Sequence, residues 1–242
     1  MASIREGRSV LESWLKDSDI VLSEDALQFL WLHLDYVLET NSSIRLTAIH
    51  SKEEGERLHI LDSLMVLPEV DAAPEGRMLD IGTGGGYPGI PLALAAGRSV
   101  DLLDSVQKKA RAIADFIDKS YVGNLELRAL GERAEELALS RPAYYSVVLA
   151  RAVSSLPALV ELSSPLLKMD GHLIAHKGPF DSEELERALV VAEIVGVRYL
   201  SKREYKLPSG DEQRTVYVFE RYREPSIDLP RRSGRAQRKP LA

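Results

Sequence analysis

The residues with the most chemical potential run from position 79 to 89: Leu79-Asp80-Ile81-Gly82-Thr83-Gly84-Gly85-Gly86-Tyr87-Pro88-Gly89. Glycines let a backbone turn sharply and approach a ligand closely, and a helix opening after such a turn offers free N–H groups. Two cofactor classes fit the spacing. Gly84-x-Gly86-x-x-Gly89 satisfies the dinucleotide fingerprint, in which the helix N-terminus holds a pyrophosphate. Asp80-x-Gly82-x-Gly84-x-Gly86 matches the loop of S-adenosylmethionine (SAM) enzymes, where an acid precedes the first glycine. A carboxylate there complements a cofactor that is cationic at sulfur and at its amino group. Asp104, in Leu102-Leu103-Asp104-Ser105, would bind ribose hydroxyls in either case.

The elements around the loop narrow the choice. From Arg77 onward, short apolar runs (Met78–Ile81, Val100–Leu103, Leu125–Ala129, Tyr145–Ala150, Leu173–Ala175) alternate with helical stretches (Gly89–Ala96, Gln107–Lys119, Glu132–Leu139, Leu156–Leu167, Ser182–Val195). Such alternation predicts a parallel sheet covered by helices on both faces. Val197–Lys206 and Arg214–Arg221 break the rhythm, since Pro208-Ser209-Gly210-Asp211 leaves no room for a helix between them. They should pair antiparallel through a turn at Ser209-Gly210. This pair favours the SAM methyltransferase sheet over the all-parallel dinucleotide sheet.

The first third reads as helical. Ile4, Val10, Leu11, Trp14 and Leu15 share one face. Ser23 caps a helix through Leu27, Leu30, Trp31, Leu34 and Leu38 that ends at Asn41. Ser51 and Glu54 form a capping box for a helix carrying Leu58, Leu61, Leu64 and Met65, which Pro68 should close. Three segments are therefore expected: a helical extension over 1–70, a core over 71–222 and a basic tail over 223–242.

Composition removes whole classes of chemistry. The 242 residues contain no cysteine, which excludes disulfides, cysteine zinc sites, thiolate nucleophiles and activation of a pyrimidine carbon by cysteine attack. The net charge is −6, yet from Arg221 onward seven basic residues face two acids, a local +5 that leaves −11 on the rest. Arg231, Arg232, Arg235, Arg238 and Lys239 therefore form a basic end, read either as a disordered solubilising tail or as an extended segment that meets nucleic-acid phosphates. Lys108, Lys109 and Arg111 start a helix face after Asp104, solvated or in phosphate contact. The N-terminus lacks the pattern of a signal peptide, and the most apolar stretch, Gly89 to Gly97, is far shorter than the roughly 20 residues of a membrane span. A cytoplasmic protein is expected, by default a monomer, with no metal site. His172 and His176 bracket a strand and read as structural.

Several blocks in order resemble one family, the bacterial small-subunit (16S) rRNA guanine-N7 methyltransferases, also known as glucose-inhibited division protein B. They are Leu46-Thr47-Ala48-Ile49, His59-Ile60-Leu61-Asp62-Ser63-Leu64, the loop extended to Gly86-Tyr87-Pro88-Gly89-Ile90-Pro91, and Leu103-Asp104-Ser105 with Lys108-Lys109. Arg133-Ala134-Glu135, Arg151-Ala152, Lys177-Gly178 and the tail Pro230-Arg231-Arg232 to Lys239-Pro240-Leu241 follow. The resemblance implies a Rossmann-like SAM-dependent methyltransferase: a seven-stranded, mostly parallel sheet with an antiparallel last strand, preceded by a helical extension. It implies that Asp80, Gly82, Gly84, Gly86 and Tyr87 form the cofactor loop, that Asp104 and Ser105 flank the ribose, and that Ala134 and Glu135 lie beside the adenine. Arg151 would be a cofactor-site arginine. The chain departs from the family's pattern at Arg45, usually asparagine, and at Ser233, usually proline.

The implied substrate is 16S rRNA or a small-subunit precursor. Guanine N7 has a free lone pair and no proton, so acceleration would come from in-line positioning without a general base. Leu149-Ala150-Arg151-Ala152 stands where amine-methylating enzymes often carry (Asp/Asn)-Pro-Pro-aromatic. Arg151 could pair with the cofactor carboxylate or with the guanine, and both readings stay open. His59 and Asp62, three apart, would share a helix face as a surface hydrogen bond or an RNA contact. A SAM enzyme acting on a small molecule is the alternative.

Overall fold

A computed structural model describes residues 2–120 and 123–242, with side chains described from residue 10 onward. Helix α1 (Ala2–Asp17) buries Leu11, Trp14 and Leu15 and leaves Val10 exposed; Ile4 lies outside the described side chains. Helix α2 (Glu24–Thr40) begins at Ser23, whose hydroxyl accepts from Ala26 N at 3.2 Å, and ends at Asn41. Glu24 and Asp25 in its first turn complement the helix dipole.

The next helix is broken where the sequence predicted continuity. Ser51 caps α3 (Lys52–Gly55), but the chain then widens into a π-helical turn, Glu56–Leu61, before α4 (Asp62–Leu64). Pro68 does not close this helix: it sits in the first turn of α5 (Leu67–Asp71), where its missing N–H costs nothing. The π turn alters the expected spacing of His59 and Asp62 and sends them to different partners. Turns of this kind recur at functional sites.

Seven strands form one sheet in the order β3-β2-β1-β4-β5-β7-β6: β1 (Met78–Ile81), β2 (Val100–Leu103), β3 (Leu127–Leu130), β4 (Tyr145–Arg151), β5 (Leu167–Lys177), β6 (Val197–Lys206) and β7 (Gln213–Arg221). The first five are parallel; β7 runs antiparallel to both β5 and β6, and the turn from β6 into β7 passes through Ser209, φ 58°. Alternate residues of the central strands enter two cores, which is why those strands read as unbroken apolar runs. Met78, Val100, Val147 and Ile174 face α1, α2, α6 (Gly89–Ala96) and α7 (Gln107–Ile117). Leu79, Leu103, Val148 and Leu173 face α8 (Ala134–Ser140), α9 (Leu156–Ser163) and α10 (Ser182–Val195). The helical extension is thus part of the core on one face of the sheet. Buried Arg98 braces the approach to β1 by donating to Val70 O, Pro74 O, Gly76 O and Ser146 Oγ at 2.6–3.1 Å.

The basic tail is folded rather than extended. It carries one short helix, α11 (Arg235–Arg238), and lies against α9 with Ala236 buried. Arg231 makes a two-pronged ion pair with buried Glu161, both contacts 2.6 Å, so this arginine is committed to the fold. Among the described residues no helix is long and apolar enough to cross a membrane.

Candidate active site

The chain order reverses direction between β1 and β4, and in such sheets ligands bind beyond the carboxyl ends of those strands. The glycine loop starts there. Gly82 sits at φ 70° with its N–H on Leu103 O at 2.7 Å; a Cβ at this position would come within 2.6 Å of Val153 Cγ2. Asp80 braces the loop from beneath. Its Oδ2 accepts from Thr83 Oγ1 at 2.6 Å and from Gly89 N at 2.9 Å, tying the turn to the start of α6. Burial pushes its carboxyl up to about 7 despite these bonds. Fully buried, Asp80 lines neither of the two hollows described below and holds the loop from beneath. Gly86 likewise faces Ile90 and His33, away from the cavity.

Two hollows meet at Gly82. A cavity of about 590 Å³ is lined by Gly82, Gly84, Tyr87, Arg151 and the Leu46–Ile49 loop. A hollow of about 40 Å³, also bordered by Gly82, is lined by Ser105, Ala134 and Glu135. Asp104 bridges loop and strand end: it accepts from Gly84 N at 3.1 Å and Val106 N at 2.8 Å. The Leu46–Ile49 wall is held by Asn41, whose Oδ1 accepts from Leu46 N and Thr47 N at 2.9 and 3.0 Å, while Arg45 points to solvent. Lys109 reaches the large cavity; Lys108 and Arg111 stand on the protein surface.

Histidines of the helical extension clamp the loop's aromatic residue. His59 stacks on Tyr87 (centroids 4.4 Å apart, 7° between planes) and shares a 2.7 Å hydrogen bond with Thr47 Oγ1. His33 lies against the same ring at 4.7 Å. Burial holds both imidazoles down to about 3, so both are neutral at physiological pH.

Asp62 anchors the far wall of the cavity. Its carboxylate, almost fully buried, accepts from Arg214 Nε at 3.0 and 3.1 Å and lies 3.3 Å from Arg151 Nη1. His176 Nε2 is 3.4 Å from it and 2.8 Å from Tyr205 Oη. Arg151 Nη1 also donates to Leu58 O at 3.1 Å. Burial, with the arginines nearby, holds His176 down to about 3, so two guanidiniums facing one carboxylate leave this wall cationic. The structure therefore unites Asp62 with Arg151, as well as with Arg214, His176 and Tyr205, which the sequence reading missed. The signal available was a charged residue, Arg214, opening an apolar strand; its partner lies 152 residues away.

The family model described as rRNA small subunit methyltransferase G, GidB, matches residues 26–212. The chain belongs to the GidB family. Relatives span its whole length. The Ribosomal RNA small subunit methyltransferase G of Alkaliphilus metalliredigens is 30% identical over 98% of this chain and 99% of its own, and that of Symbiobacterium thermophilum 33% identical over 97% and 98%. In structure the GidB chain resembles Burkholderia thailandensis 1,6-didemethyltoxoflavin-N1-methyltransferase, with a TM-score of 0.55, 15% identity, and coverage of 84% of this chain and 92% of that one. It also resembles Pyrococcus horikoshii TYW2, with a TM-score of 0.54, 13% identity, and coverage of 67% and 62%. The fold is the Rossmann-like fold of SAM-dependent methyltransferases, as the mixed sheet predicted.

The donor set of this GidB chain suits such a cofactor. A hydroxyl and a carboxylate (Ser105, Glu135) line the small hollow on one side of Gly82, where an adenosine offers hydroxyls and an amine, and Asp104 ties Gly84 to the strand end next to Ser105. Cationic Arg151 and Lys109 stand on the other side, where an amino acid's carboxylate would need them.

His33 offers a test of the clamp. Because its folded-state pKa lies below the unfolded value near 6.5, the unfolded chain binds the extra proton, and the stability present above pH 6.5 is lost as pH falls toward 3. Urea denaturation from pH 4.5 to 5.5 should give the wild type a stability slope steeper than that of His33→Phe by about 1.3 kcal/mol per pH unit. The difference between the two proteins isolates this imidazole from Asp80 and Glu56, whose carboxyls burial raises to about 7 and whose slopes run the other way. Parallel slopes would show that His33 is not held neutral.

Proposed function

We propose that this GidB-family methyltransferase methylates N7 of a guanine in 16S rRNA, with S-adenosylmethionine as cofactor. The observation that carries the N7 reading is the cavity wall: two guanidiniums on Asp62, with His59 and His176 held neutral and already hydrogen-bonded. Bound S-adenosylmethionine supplies a methyl group activated by a sulfonium. Guanine N7 carries a lone pair and no proton, so its methylation releases no proton and asks the protein for alignment rather than for a base. Arg151 or Arg214 donates to guanine O6, the acceptor beside N7, and leaves the N7 lone pair free. Gly82, Gly84 and Tyr87 hold the cofactor loop, Asp104 and Ser105 the ribose, and Ala134 and Glu135 border the adenine.

The exposed Arg232, Arg235, Arg238 and Lys239 meet RNA phosphates. Reversing the charge of all four should weaken rRNA binding and flatten its dependence on log salt by roughly one unit per lost contact. An unchanged salt slope would place the RNA elsewhere. The reaction itself is tested by mass mapping of rRNA nucleotides from cells with and without the gene. The expected result is loss of one N7-methylguanine, restored by the wild type and not by Gly82→Asp. An unchanged map would overturn the reading and point to a small-molecule substrate.

A further inference from the structure

The cofactor site as described above ends at the small hollow beside Ala134 and Glu135, and the wall of that hollow is completed by the tail. Gln237, exposed on α11, lines it together with Ser105, Ala134 and Glu135. Gly234 N donates to Glu135 Oε1 at 2.6 Å, in a buried contact. The segment is pinned on either side of this point. Arg231 grips Glu161 and donates to Lys239 O at 2.9 Å, Ala236 is buried in the core beneath, and Arg187 donates to the Ala242 carbonyl at 2.9 Å. Gln237 is the polar side chain of α11 that the fold leaves facing the hollow.

The hollow measures about 40 Å³, and α11 forms part of its wall. A cofactor whose adenine lies here would therefore rest against α11 and be covered by the tail. A carboxamide carries both a donor and an acceptor, the complement of adenine's amino group and neighbouring ring nitrogen. We propose that residues 230–242 form a strap over the adenine end of the cofactor site, and that Gln237 is a cofactor-contact residue reading the adenine edge. The proposal rests on the cofactor reading of the site given above. It adds a second duty to a tail whose charge points to RNA.

The test measures binding rather than turnover, by calorimetry with S-adenosylhomocysteine and with methylthioadenosine, which retains the adenosine half. Gln237→Ala should weaken both by about tenfold, the scale of a lost hydrogen-bonded pair. Gln237→Asn, which keeps the carboxamide, should bind both probes more tightly than Gln237→Ala, and Gln237→Leu should not. Glu161→Gln, which loosens the Arg231 anchor away from the hollow, should weaken both probes while the melting curve stays cooperative. Saturating S-adenosylhomocysteine should also change the rate at which trypsin cuts after Arg235 and Arg238. Unchanged affinities in Gln237→Ala and Glu161→Gln, with trypsin cutting indifferent to S-adenosylhomocysteine, would overturn the strap and leave the tail an RNA arm. Failure of the wild type to bind S-adenosylhomocysteine at all would instead overturn the cofactor reading beneath it.

Discussion

Gly82→Ala should lower affinity for S-adenosylmethionine by about 100-fold, and Gly82→Asp by more, without unfolding the protein. Gly82 stands at φ 70°, where an L-residue costs on the order of 1–2 kcal/mol. Its new Cβ would also press within 2.6 Å of Val153 Cγ2, which must shift. The free loop sheds this strain by leaving its binding geometry and must recover it on binding; each tenfold in affinity is about 1.4 kcal/mol, so strain and displacement together reach the expected loss. The damage stays local, because the loop's other supports are independent of this side chain: Asp80 still holds Thr83 and Gly89, and Tyr87 stays packed against His33 and His59. Since the obstruction is the end of one valine, Gly82→Ala with Val153→Ala should recover part of the affinity. Calorimetric titration beside a thermal melt checks this. Wild-type affinity in Gly82→Ala would remove the loop from the cofactor site.

Asp62→Asn should cost about 3 kcal/mol of folding stability, measured by urea denaturation at pH 7. The carboxylate is buried between the guanidiniums of Arg151 and Arg214, and its removal leaves two cations facing each other with no anion between them. Breaking a buried pair from one side typically costs about 3–5 kcal/mol. The lower end applies because both arginine side chains keep some contact with the cavity solvent. Adding Arg214→Gln to Asp62→Asn should therefore cost less than the sum of the two single losses, a coupling readable in a double-mutant cycle. Arg151→Ala behaves differently. Asp62 retains Arg214, so stability falls little, while the rate of rRNA methylation falls with the lost positioning. Strict additivity in the cycle would show that the cluster is not a unit.

What the sequence determined by itself was local. Ser23 and Asn41 bounded α2, Pro208 to Asp211 announced a hairpin, and the glycines after Met78–Ile81 marked a strand–loop–helix turn. Each of these is a contest among neighbours a few residues apart: a cap either accepts its N–H or it does not, and a β-to-α turn with positive φ needs glycine. The strand–helix alternation extended that logic to the fold class, since a run buried on both faces reads as continuously apolar.

Only the tertiary structure decided what the chemically active side chains touch. The spacing of His59 and Asp62 suggested a shared helix face, yet the π turn sends one to Tyr87 and the other to Arg151 and Arg214. His176 read as a structural residue and lines the cavity, and Asp80, read as the loop's acid, braces the loop from beneath. The tail's charge suggested an extended arm, yet a carboxylate 70 residues earlier folds Arg231 back onto α9. An ion pair between distant residues leaves no period and no spacing in the chain. Coulomb attraction acts on distance in space, and burial sets its strength, so both come into being only when the sheet closes the separation.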